Sequence, residues 1–432
     1  MERKPVVTVI IPAKNRAPYL RHTLRTCMLQ DYERLEVIVS DDGSTDDTRE
    51  VVEAARTRDS RIRYISPPEA VGMRANFEFA LRQVQPGYVM ALGADDGLLP
   101  RGIEGMLEVL ADTGQELLAW SAPVFAYPNT RVEQSQLVLA RQRRTRVIQS
   151  ADFLRRQSEH LHYLSDVESP MFYVKGLTST TLVDRVRSRT RDGCFYSCPT
   201  PDGYSGIVLA GEVKSYAMSG KPFSIFGSSP SSQGLAYING GESAKSLSES
   251  FFRTVADSPM HPQLASQPYS PLITLMTVDY LLTASDLPGW QGPRPTIDFQ
   301  RVLLKSIGEL QHGLYSSDRI ARELSILDCI ATHHGLGDFF RMSVRSSRRR
   351  AAKKPLEGDA FSPSMLVLDA AACGIENIVD AAYFARFAHE LAARPLLSES
   401  LSALIRSVRY RMASVRKGDP FPPESSWRQG TA

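Results

Sequence analysis

The strongest constraint on the fold is an alternation, between residues 6 and 120, of short apolar runs rich in β-forming residues with amphipathic helical stretches. The apolar runs are close to the usual strand length of about five residues. They are Val6–Ile11, Leu35–Val39, Ile62–Ile65, Tyr88–Leu92 and Leu117–Trp120. Alternating strands and helices are typical of an α/β domain, in which helices cover a mostly parallel sheet.

The alternation fades after Ser121, and a chain of 432 residues is longer than one hydrophobic core usually serves. We therefore divide the chain into an α/β domain at 1–122, a second part of the same domain at 123–245, and a mainly helical region at 246–432. A Ser- and Gly-rich stretch, Phe226–Gly241, predicts a loop or linker. Periodicity of 3.6 residues predicts a short helix over Gly206–Ala210 and longer ones over Arg301–Leu310, Asp318–Thr332, Ile378–Leu391 and Ser400–Met412.

Composition excludes few functions. A formal net charge of +3 gives no argument for a nucleic-acid partner. Five scattered cysteines do not form a disulfide framework, so we expect a reducing, cytoplasmic location. The basic run Arg345–Lys354 indicates either a solvated helix face or peripheral contact with an anionic membrane.

Polar residues follow three of the predicted strands. Pro12 to Arg16 come after the first, Asp41-Asp42 after the second, and Asp95-Asp96 after the fourth. Asp at such positions is often only a turn or helix-capping residue. However, the carboxyl ends of parallel strands meet at one edge, where open α/β sheets bind ligands. Two acidic pairs at that edge repel each other unless a hard cation, Mg²⁺ or Mn²⁺, binds between them together with a diphosphate.

Four segments in this order resemble family 2 glycosyltransferases, which have the GT-A fold. They are VTVIIPAKNR, VIVSDDGSTDDT, VGMRANFEFAL and ALGADDGLLP. The resemblance covers about the first quarter of the chain and implies a GT-A-type sheet, a nucleotide-sugar donor and a metal held by Asp95 and Asp96. It also implies that the donor is bound by Pro12, Asn15, Arg16, Asp41, Arg74 and Asp95. Many members have an additional Asp where this chain has Gly93.

The family also uses an acidic residue in a later segment to take the proton from the acceptor hydroxyl. Here the candidate is Asp202, in the segment CPTPDGY; the alternative is that it caps the helix that follows. Many metal-dependent members place a His after the base, whereas positions 228–233 offer only Ser, Pro and Gln. The reserve candidates for the base are Asp166, Glu168 and Glu212.

The resemblance thus implies an inverting, metal-dependent transferase that moves a sugar from a nucleotide sugar, by family habit a UDP-sugar, to a glycan or lipid-linked acceptor. One alternative is a catalytically silent subunit that binds a nucleotide or glycan in a polysaccharide assembly system. Another is a nucleotidyltransferase, which would need a Gly-rich loop containing Arg after the first strand. This chain has Ala13-Lys14-Asn15-Arg16 there instead.

Overall fold

The computed structural model describes residues 4–128, 134–140, 143–231, 251–255, 258–311, 315–350 and 365–392. The strands are β1 (Val6–Ala13), β2 (Leu35–Asp41), β3 (Ile62–Ile65), β4 (Gly87–Ala91), β5 (Gly97–Leu98), β6 (Leu117–Trp120), β7 (Val124–Ala126), β8 (Gln136–Ala140), β9 (Arg146–Gln149), β10 (Gly176–Ser179), β11 (Ser215–Ser219), β12 (Ser224–Ser228) and β13 (Met365–Asp369). The helices are α1 (Ala17–Met28), α2 (Thr48–Arg56), α3 (Met73–Leu81), α4 (Gly102–Thr113), α5 (Ser150–His160), α6 (Thr180–Arg187), α7 (Pro201–Ala210), α8 (Ile273–Ser285), α9 (Phe299–Leu310), α10 (Ser317–His333), α11 (Gly337–Arg350) and α12 (Ile378–Ala392).

The main sheet has eight strands in the order β3-β2-β1-β4-β10-β6-β11-β9. The pairs β2–β3, β1–β2, β1–β4 and β6–β11 are parallel. By contrast, β10 runs antiparallel to both β4 and β6, and β9 runs antiparallel to β11. The prediction of a mostly parallel sheet is therefore confirmed, and β1, β2, β3, β4 and β6 match the five predicted strands to within two residues.

Both faces of this sheet are covered, because side chains of successive strand residues point to opposite faces. In β1, Val9 and Ile11 belong to the buried cluster that contains residues of α1, α2 and α4. Ile10 belongs to the opposite cluster, which contains residues of α3, α5, α6 and α7. The alternation of strands and helices in the sequence thus produces a three-layer domain.

A second sheet has the order β13-β8-β7-β12-β5. Its strand β12 corrects the prediction of a loop or linker over Phe226–Gly241, because Phe226 to Ser228 are paired with β7. Ser and Gly weigh against a strand in the sequence, whereas pairing and burial in the folded chain outweigh their intrinsic preference. Residues 232–241 of that stretch lie outside the described part of the chain.

The C-terminal region is mainly helical, as predicted. Helices α8 to α11 share a buried cluster that includes Leu275, Leu303 and Leu327. The region also contains β13, which pairs antiparallel with β8, and α12, which packs against α1 and β12. Ile378 at the start of α12 is completely buried in a cluster with Leu99 and Ile225.

The predicted helix at Ser400–Met412 lies outside the described residues. The three-part division at 1–122, 123–245 and 246–432 stays a prediction. Among the described helices, none combines the length and the apolar character needed to cross a membrane.

Candidate active site

The strand order places the predicted donor-binding residues at one edge of the main sheet. Strands β2, β1 and β4 are adjacent and parallel, so the segments that follow them leave the sheet side by side. Pro12 lies within β1 opposite Ser40 of β2, and Asp41 is the last residue of β2. The sequence motifs therefore meet because of topology, as the parallel-sheet argument predicts.

The segment after β1 is joined to the segment after β2 by hydrogen bonds. Asn15 adopts a left-handed conformation, with φ of 53°, which Asn tolerates better than most residues. Its backbone N–H donates to Ser44 Oγ at 2.8 Å, and its side-chain oxygen accepts the N–H of Thr45 at 2.7 Å. The Arg16 N–H donates to Thr48 Oγ1 at 3.1 Å. These contacts fix the start of α1 relative to the start of α2.

Asp41 and Asp42 are both only 3% exposed, and each carboxylate has local partners. Asp41 Oδ1 accepts the Ser44 N–H at 3.0 Å, while Oδ2 accepts the Tyr64 hydroxyl at 2.8 Å. Asp42 Oδ1 accepts the Val71 N–H at 2.6 Å and Oδ2 lies 3.3 Å from Lys14 Nζ. Asp42 thus connects the loops that follow β1, β2 and β3. Asp41 lies in the loop predicted to bind the nucleotide.

The Asp95-Asp96 turn after β4 is held by distant backbone groups. Asp96 is fully buried, and its two oxygens accept the N–H of Gly93 at 2.6 Å and of Gly227 at 2.8 Å. Asp95, 7% exposed, accepts the Ser229 hydroxyl at 2.6 Å. A Cβ at position 227 would lie 1.8 Å from the Asp95 carbonyl oxygen, so only glycine allows β12 to pass this close.

The segment after β12 also reaches the loop after β1. The Arg16 guanidinium donates to the Ser231 carbonyl oxygen, two residues beyond the serine that contacts Asp95. Positions 229 and 231 therefore border the site, in the segment where many family members are expected to place a His. Gln233 lies outside the described residues.

Burial raises the pKa of the Asp96 carboxyl well above its ordinary value, and the neighbouring Asp95 acts in the same direction. Two adjacent acids in a buried turn favour a bound cation, which would relieve this repulsion. Among the described residues, no group of three or more His, Cys, Asp or Glu side chains is placed to hold a metal ion. The residues present fit a site in which two carboxylates share the ion with phosphate oxygens and water, the usual arrangement for Mg²⁺.

Asp202 lies in the first turn of α7, which begins at Pro201, five residues before the predicted helix. The N-cap is Thr200, so the structure does not place Asp202 at the capping position. Asp202 Oδ2 accepts the Tyr163 hydroxyl at 3.1 Å, whereas Oδ1 is buried without a hydrogen-bond partner among the described residues. Burial raises the pKa of this carboxyl above its ordinary value.

The reserve candidates for the base are engaged by arginines. Asp166 Oδ2 lies 3.2 Å from Arg156 Nε, and Glu168 Oε2 lies 2.6 Å from Arg156 Nη2. Glu212 Oε1 lies 2.6 Å from Arg189 Nη1. An arginine therefore occupies an oxygen of each reserve carboxylate, although burial still raises the pKa of Glu212. Asp202 has no ion pair within the described part of the chain.

Helix α3 positions the segment that leads to Asp202. Glu78 Oε2 accepts the N–H groups of Phe195 at 2.9 Å and Tyr196 at 3.3 Å, while Arg74 Nη1 donates to the Tyr196 carbonyl oxygen at 3.0 Å. Arg74 therefore contacts the Asp202 side of the site. Its predicted role in binding the donor stays a prediction.

Tyr173 is a residue of the site that no sequence motif indicated. Its hydroxyl oxygen would lie 2.6 Å from a Cβ at position 93, next to the carboxylate oxygens of Asp96 at 2.7 Å and Asp95 at 3.1 Å from the same point. Burial raises the pKa of the Tyr173 hydroxyl well above its usual value, and the charges of Asp96, Asp95 and Asp202 add to this. Tyr173 is thus influenced both by the Asp95-Asp96 turn and by Asp202.

Sequence reasoning missed Tyr173, Tyr163, Gly227 and Ser229. The tyrosines lie in segments without a recognisable motif, and the other two lie in the stretch predicted to be a loop or linker. Of these residues, only Ser229 could have been found from the sequence, because the family resemblance indicates positions 228–233 as the place for a further ligand.

Residues 8–166 match the family model described as "Glycosyl transferase family 2". Over 105 residues, or 24% of this chain, it is 34% identical to the GalNAc(5)-diNAcBac-PP-undecaprenol beta-1,3-glucosyltransferase of Campylobacter jejuni, of which it covers 34%. It is also 32% identical to the putative teichuronic acid biosynthesis glycosyltransferase TuaG of Bacillus subtilis, over 27% of this chain and 49% of that protein.

The chain therefore spans less than half the length of these two relatives. A distant structural likeness, with a TM-score of 0.44 and 13% identity, exists to S. aureus TarS 1-349, covering 84% of this chain and 96% of that one. The family model spans the segments that carry Asp41 and Asp95-Asp96, and the similar proteins are glycosyltransferases. A glycosyl transferase family 2 domain therefore lies within residues 8–166 of the chain.

Proposed function

We propose that the chain is an inverting glycosyltransferase that uses a divalent metal and a nucleoside diphosphate sugar. The observation that carries the proposal is the pairing of two kinds of carboxylate in one site. Asp95 and Asp96 form a buried turn at the carboxyl edge of the sheet, and Asp202 is an acid without an ion pair among the described residues. The charges of Asp95, Asp96 and Asp202 all contribute to the raised pKa of the Tyr173 hydroxyl, which links the two kinds of carboxylate.

The donor side of the site consists of the segments that carry Pro12, Asn15, Arg16 and Asp41. Asp41 accepts hydrogen bonds at both oxygens and is held rigidly enough to orient a nucleoside. Asp95 and Asp96 would hold Mg²⁺ or Mn²⁺, which would offset the charge that develops on the departing nucleoside diphosphate. Uridine is the base that the family resemblance favours.

Asp202 would act on the acceptor side. The acceptor hydroxyl oxygen forms a bond to the anomeric carbon while the bond from that carbon to the diphosphate breaks. The hydroxyl proton passes to the Asp202 carboxylate, and the electron pair of the broken bond stays with the diphosphate. A raised pKa makes the carboxylate a better base near neutral pH, provided that it remains ionised there.

We further propose a glycan or lipid-linked acceptor in the assembly of a bacterial surface polysaccharide. The support for this class is the function named for the two similar bacterial proteins, a transferase acting on an undecaprenol-linked glycan and a putative teichuronic acid transferase. Both likenesses cover only about a quarter of this chain.

The test is a screen of nucleotide sugars for release of nucleoside diphosphate with Mn²⁺ and with EDTA. At least one donor should be turned over only with the metal.

Asp95→Asn keeps the size of the side chain and the acceptor oxygen for Ser229 but removes the negative charge. It should therefore abolish the metal-dependent part of the UDP or GDP affinity, measured by calorimetry. The control is Glu53→Gln on the exposed face of α2.

Equal nucleotide affinity with and without Mn²⁺ in the native protein would contradict the metal assignment. Tight nucleotide binding with no release from any donor, even with candidate acceptors present, would instead favour the silent-subunit alternative.

A further inference from the structure

The space above Gly93 is occupied by a hydroxyl group from another part of the chain. The point where a Cβ would project from residue 93 lies 2.6 Å from the Tyr173 hydroxyl oxygen, closer than to either neighbouring carboxylate. Contacts below 3.0 Å force a neighbour to move. The Tyr173 ring packs against Phe77 with ring centroids 6.0 Å apart, which restrains its movement.

The backbone around Tyr173 is also tightly constrained. Phe172 accepts the N–H of Ala91 at 2.8 Å, and the N–H of Val174 donates to the Ala91 carbonyl oxygen at 2.7 Å. Val174 has a φ of 62°, which is strongly unfavourable for a β-branched residue. Strain of this kind persists where the surrounding structure fixes a functional geometry. The segment therefore fixes the Tyr173 hydroxyl beside the end of β4.

We propose that Tyr173 completes the donor site in place of a third acidic side chain: its hydroxyl fills the position above Gly93 and donates a hydrogen bond to the ligand oxygens bound at Asp95 and Asp96. This inference rests on the proposed function. A neutral donor there leaves the cation with two protein carboxylates. The ion would then need the oxygens of a nucleoside diphosphate as further ligands.

Two substitutions separate the roles of space and charge. Tyr173→Phe keeps the ring and its contact with Phe77 but removes the hydroxyl. It should lower the affinity for UDP or GDP in Mn²⁺ by roughly 10- to 100-fold, the usual loss for a hydrogen bond to a charged group. The melting temperature should stay close to that of the native protein. The matched control is Tyr88→Phe, a half-buried tyrosine of β4 away from the carboxylates.

The second arm is a double-mutant cycle with Mn²⁺ as the only ligand. Gly93→Asp alone should lower the melting temperature, because its Cβ meets the Tyr173 oxygen. Adding Tyr173→Phe should restore part of that loss, because it removes one of the two closest contacts while Asp96 Oδ2, 2.7 Å from the Cβ position, remains. The double variant then has a third carboxylate, and it should bind Mn²⁺ without nucleotide at least about tenfold more tightly than the native protein, a difference of 1.4 kcal/mol.

The proposal is wrong if Tyr173→Phe binds nucleotide and Mn²⁺ like the native protein. It is also wrong if the effects of the two substitutions on melting are simply additive, or if the double variant gains no affinity for Mn²⁺. The Mn²⁺ and melting readouts need no sugar transfer. A chain that binds no nucleotide at all would therefore overturn the proposed function, while the coupling between positions 93 and 173 would still be measured.

Discussion

The proposed role of Asp202 as general base rests on one hydrogen bond, one unpaired oxygen and the burial of the carboxyl group. One oxygen accepts the Tyr163 hydroxyl, which holds the carboxyl plane in a fixed orientation. The other oxygen is buried and has no partner among the described residues, so it can receive a proton. Burial raises the pKa of the Asp202 carboxyl, and no ion pair among the described residues opposes this effect.

Replacing Asp202 by Asn should slow transfer by roughly 10²- to 10⁴-fold, because the amide keeps the size of the side chain but cannot accept the proton. Affinity for the nucleotide sugar should hardly change. The measurements are the transfer rate with a defined acceptor and the donor affinity by calorimetry. Asp166→Asn, which affects an ion-paired acid, is the matched control and should retain near-native transfer.

In the native protein, the acidic limb of the pH–rate profile should lie above the range of an ordinary Asp. The carboxylate is lost as pH falls through its raised pKa, so the rate should fall with it. A limb that is unchanged in Asp202→Asn, or near-native transfer by that variant, would move the base to another residue. Loss of donor binding would instead place Asp202 in the nucleotide site.

Among the secondary-structure elements, two helices position the segment that leads to α7. Helix α3 accepts and donates backbone hydrogen bonds through Glu78 and Arg74. On the other side, the Thr200 hydroxyl is hydrogen-bonded to the Tyr280 hydroxyl of α8, and Asp279 Oδ1 of the same helix accepts the N–H of His261 at 2.7 Å. The segment from Cys194 to Thr200 is therefore clamped between α3 and α8.

Glu78→Gln should lower the free energy of unfolding by about 1–3 kcal/mol, since it breaks the ion pair with Arg187 and weakens a buried set of hydrogen bonds. Transfer should also slow, because Tyr196 and the start of α7 lose their anchor. Urea unfolding and transfer rates measure these effects. Glu53→Gln breaks an exposed ion pair and should change stability by no more than about 1 kcal/mol. Equal effects of both substitutions would argue against an anchoring role for Glu78.

Burial raises the pKa of the Asp279 carboxyl to about 6 from an ordinary value of 3.8. The folded protein therefore holds this proton more tightly than the unfolded chain. The group favours folding at low pH, and this contribution is lost as pH rises from about 4 through about 6. Asp279→Asn should consequently raise the free energy of unfolding at pH 7 by roughly 1–3 kcal/mol and have little effect at pH 4.

Unfolding by urea at the two pH values tests this, with Asp328→Asn on the exposed face of α10 as the control. A loss of stability at pH 7 would show that ionised Asp279 is needed for the contact with His261.

In the molecule as a whole, the C-terminal region contributes to the first domain as well as to its own helical core. Strand β13 pairs with β8 from Met365 to Asp369, and α12 packs against α1. Ile378 lies 3.2 Å from the point where a Cβ on Gly97 would project, next to the Asp95-Asp96 turn. The stability of the donor site should therefore depend on residues 365–392.

Ile378→Ala should lower the free energy of unfolding by about 2–5 kcal/mol, because it leaves a cavity at a completely buried position. Metal-dependent nucleotide affinity should weaken as well, since the cavity adjoins β5. Leu366→Ala on β13 is the control, because Leu366 is 45% exposed and its loss should cost far less. Native-like stability of Ile378→Ala would mean that α12 is dispensable to the first domain.

The basic run Arg345–Lys354 is expected to affect membrane binding rather than sugar transfer. The backbone of Arg348 to Arg350 ends α11, and residues 351–354 lie outside the described part of the chain. Replacing these three arginines by Gln should weaken binding to anionic vesicles by about 1 kcal/mol per residue at low salt, with donor turnover retained.

Vesicle flotation with Arg56, Arg58 and Arg155 replaced by Gln provides a charge-matched control. No vesicle binding by the native protein at low salt would rule out peripheral membrane attachment through this run.

Local patterns in the sequence are enough to locate the first strands of the main sheet and the motifs that follow them. Hydrophobic periodicity acts over a few residues, so it locates β1 to β4, β6 and the helices between them. Since parallel strands bring their ends together, the motifs at Asn15, Asp41 and Asp95 are assigned to one edge by the strand pattern alone. The resemblance to a family then reduces the general base to four candidates.

The surroundings of those motifs depend on contacts between distant segments. Gly227 and Ser229 support Asp96 and Asp95 across more than 130 positions in the chain, and β13 reaches back to β8 across more than 200. No local pattern encodes such contacts, because they arise from packing and backbone pairing between segments with ordinary sequences. Tyr173 shows this most clearly, since its hydroxyl lies above Gly93 only because two distant segments meet there. Only the folded chain reveals that the Tyr173 hydroxyl occupies the space where a side chain at position 93 would project.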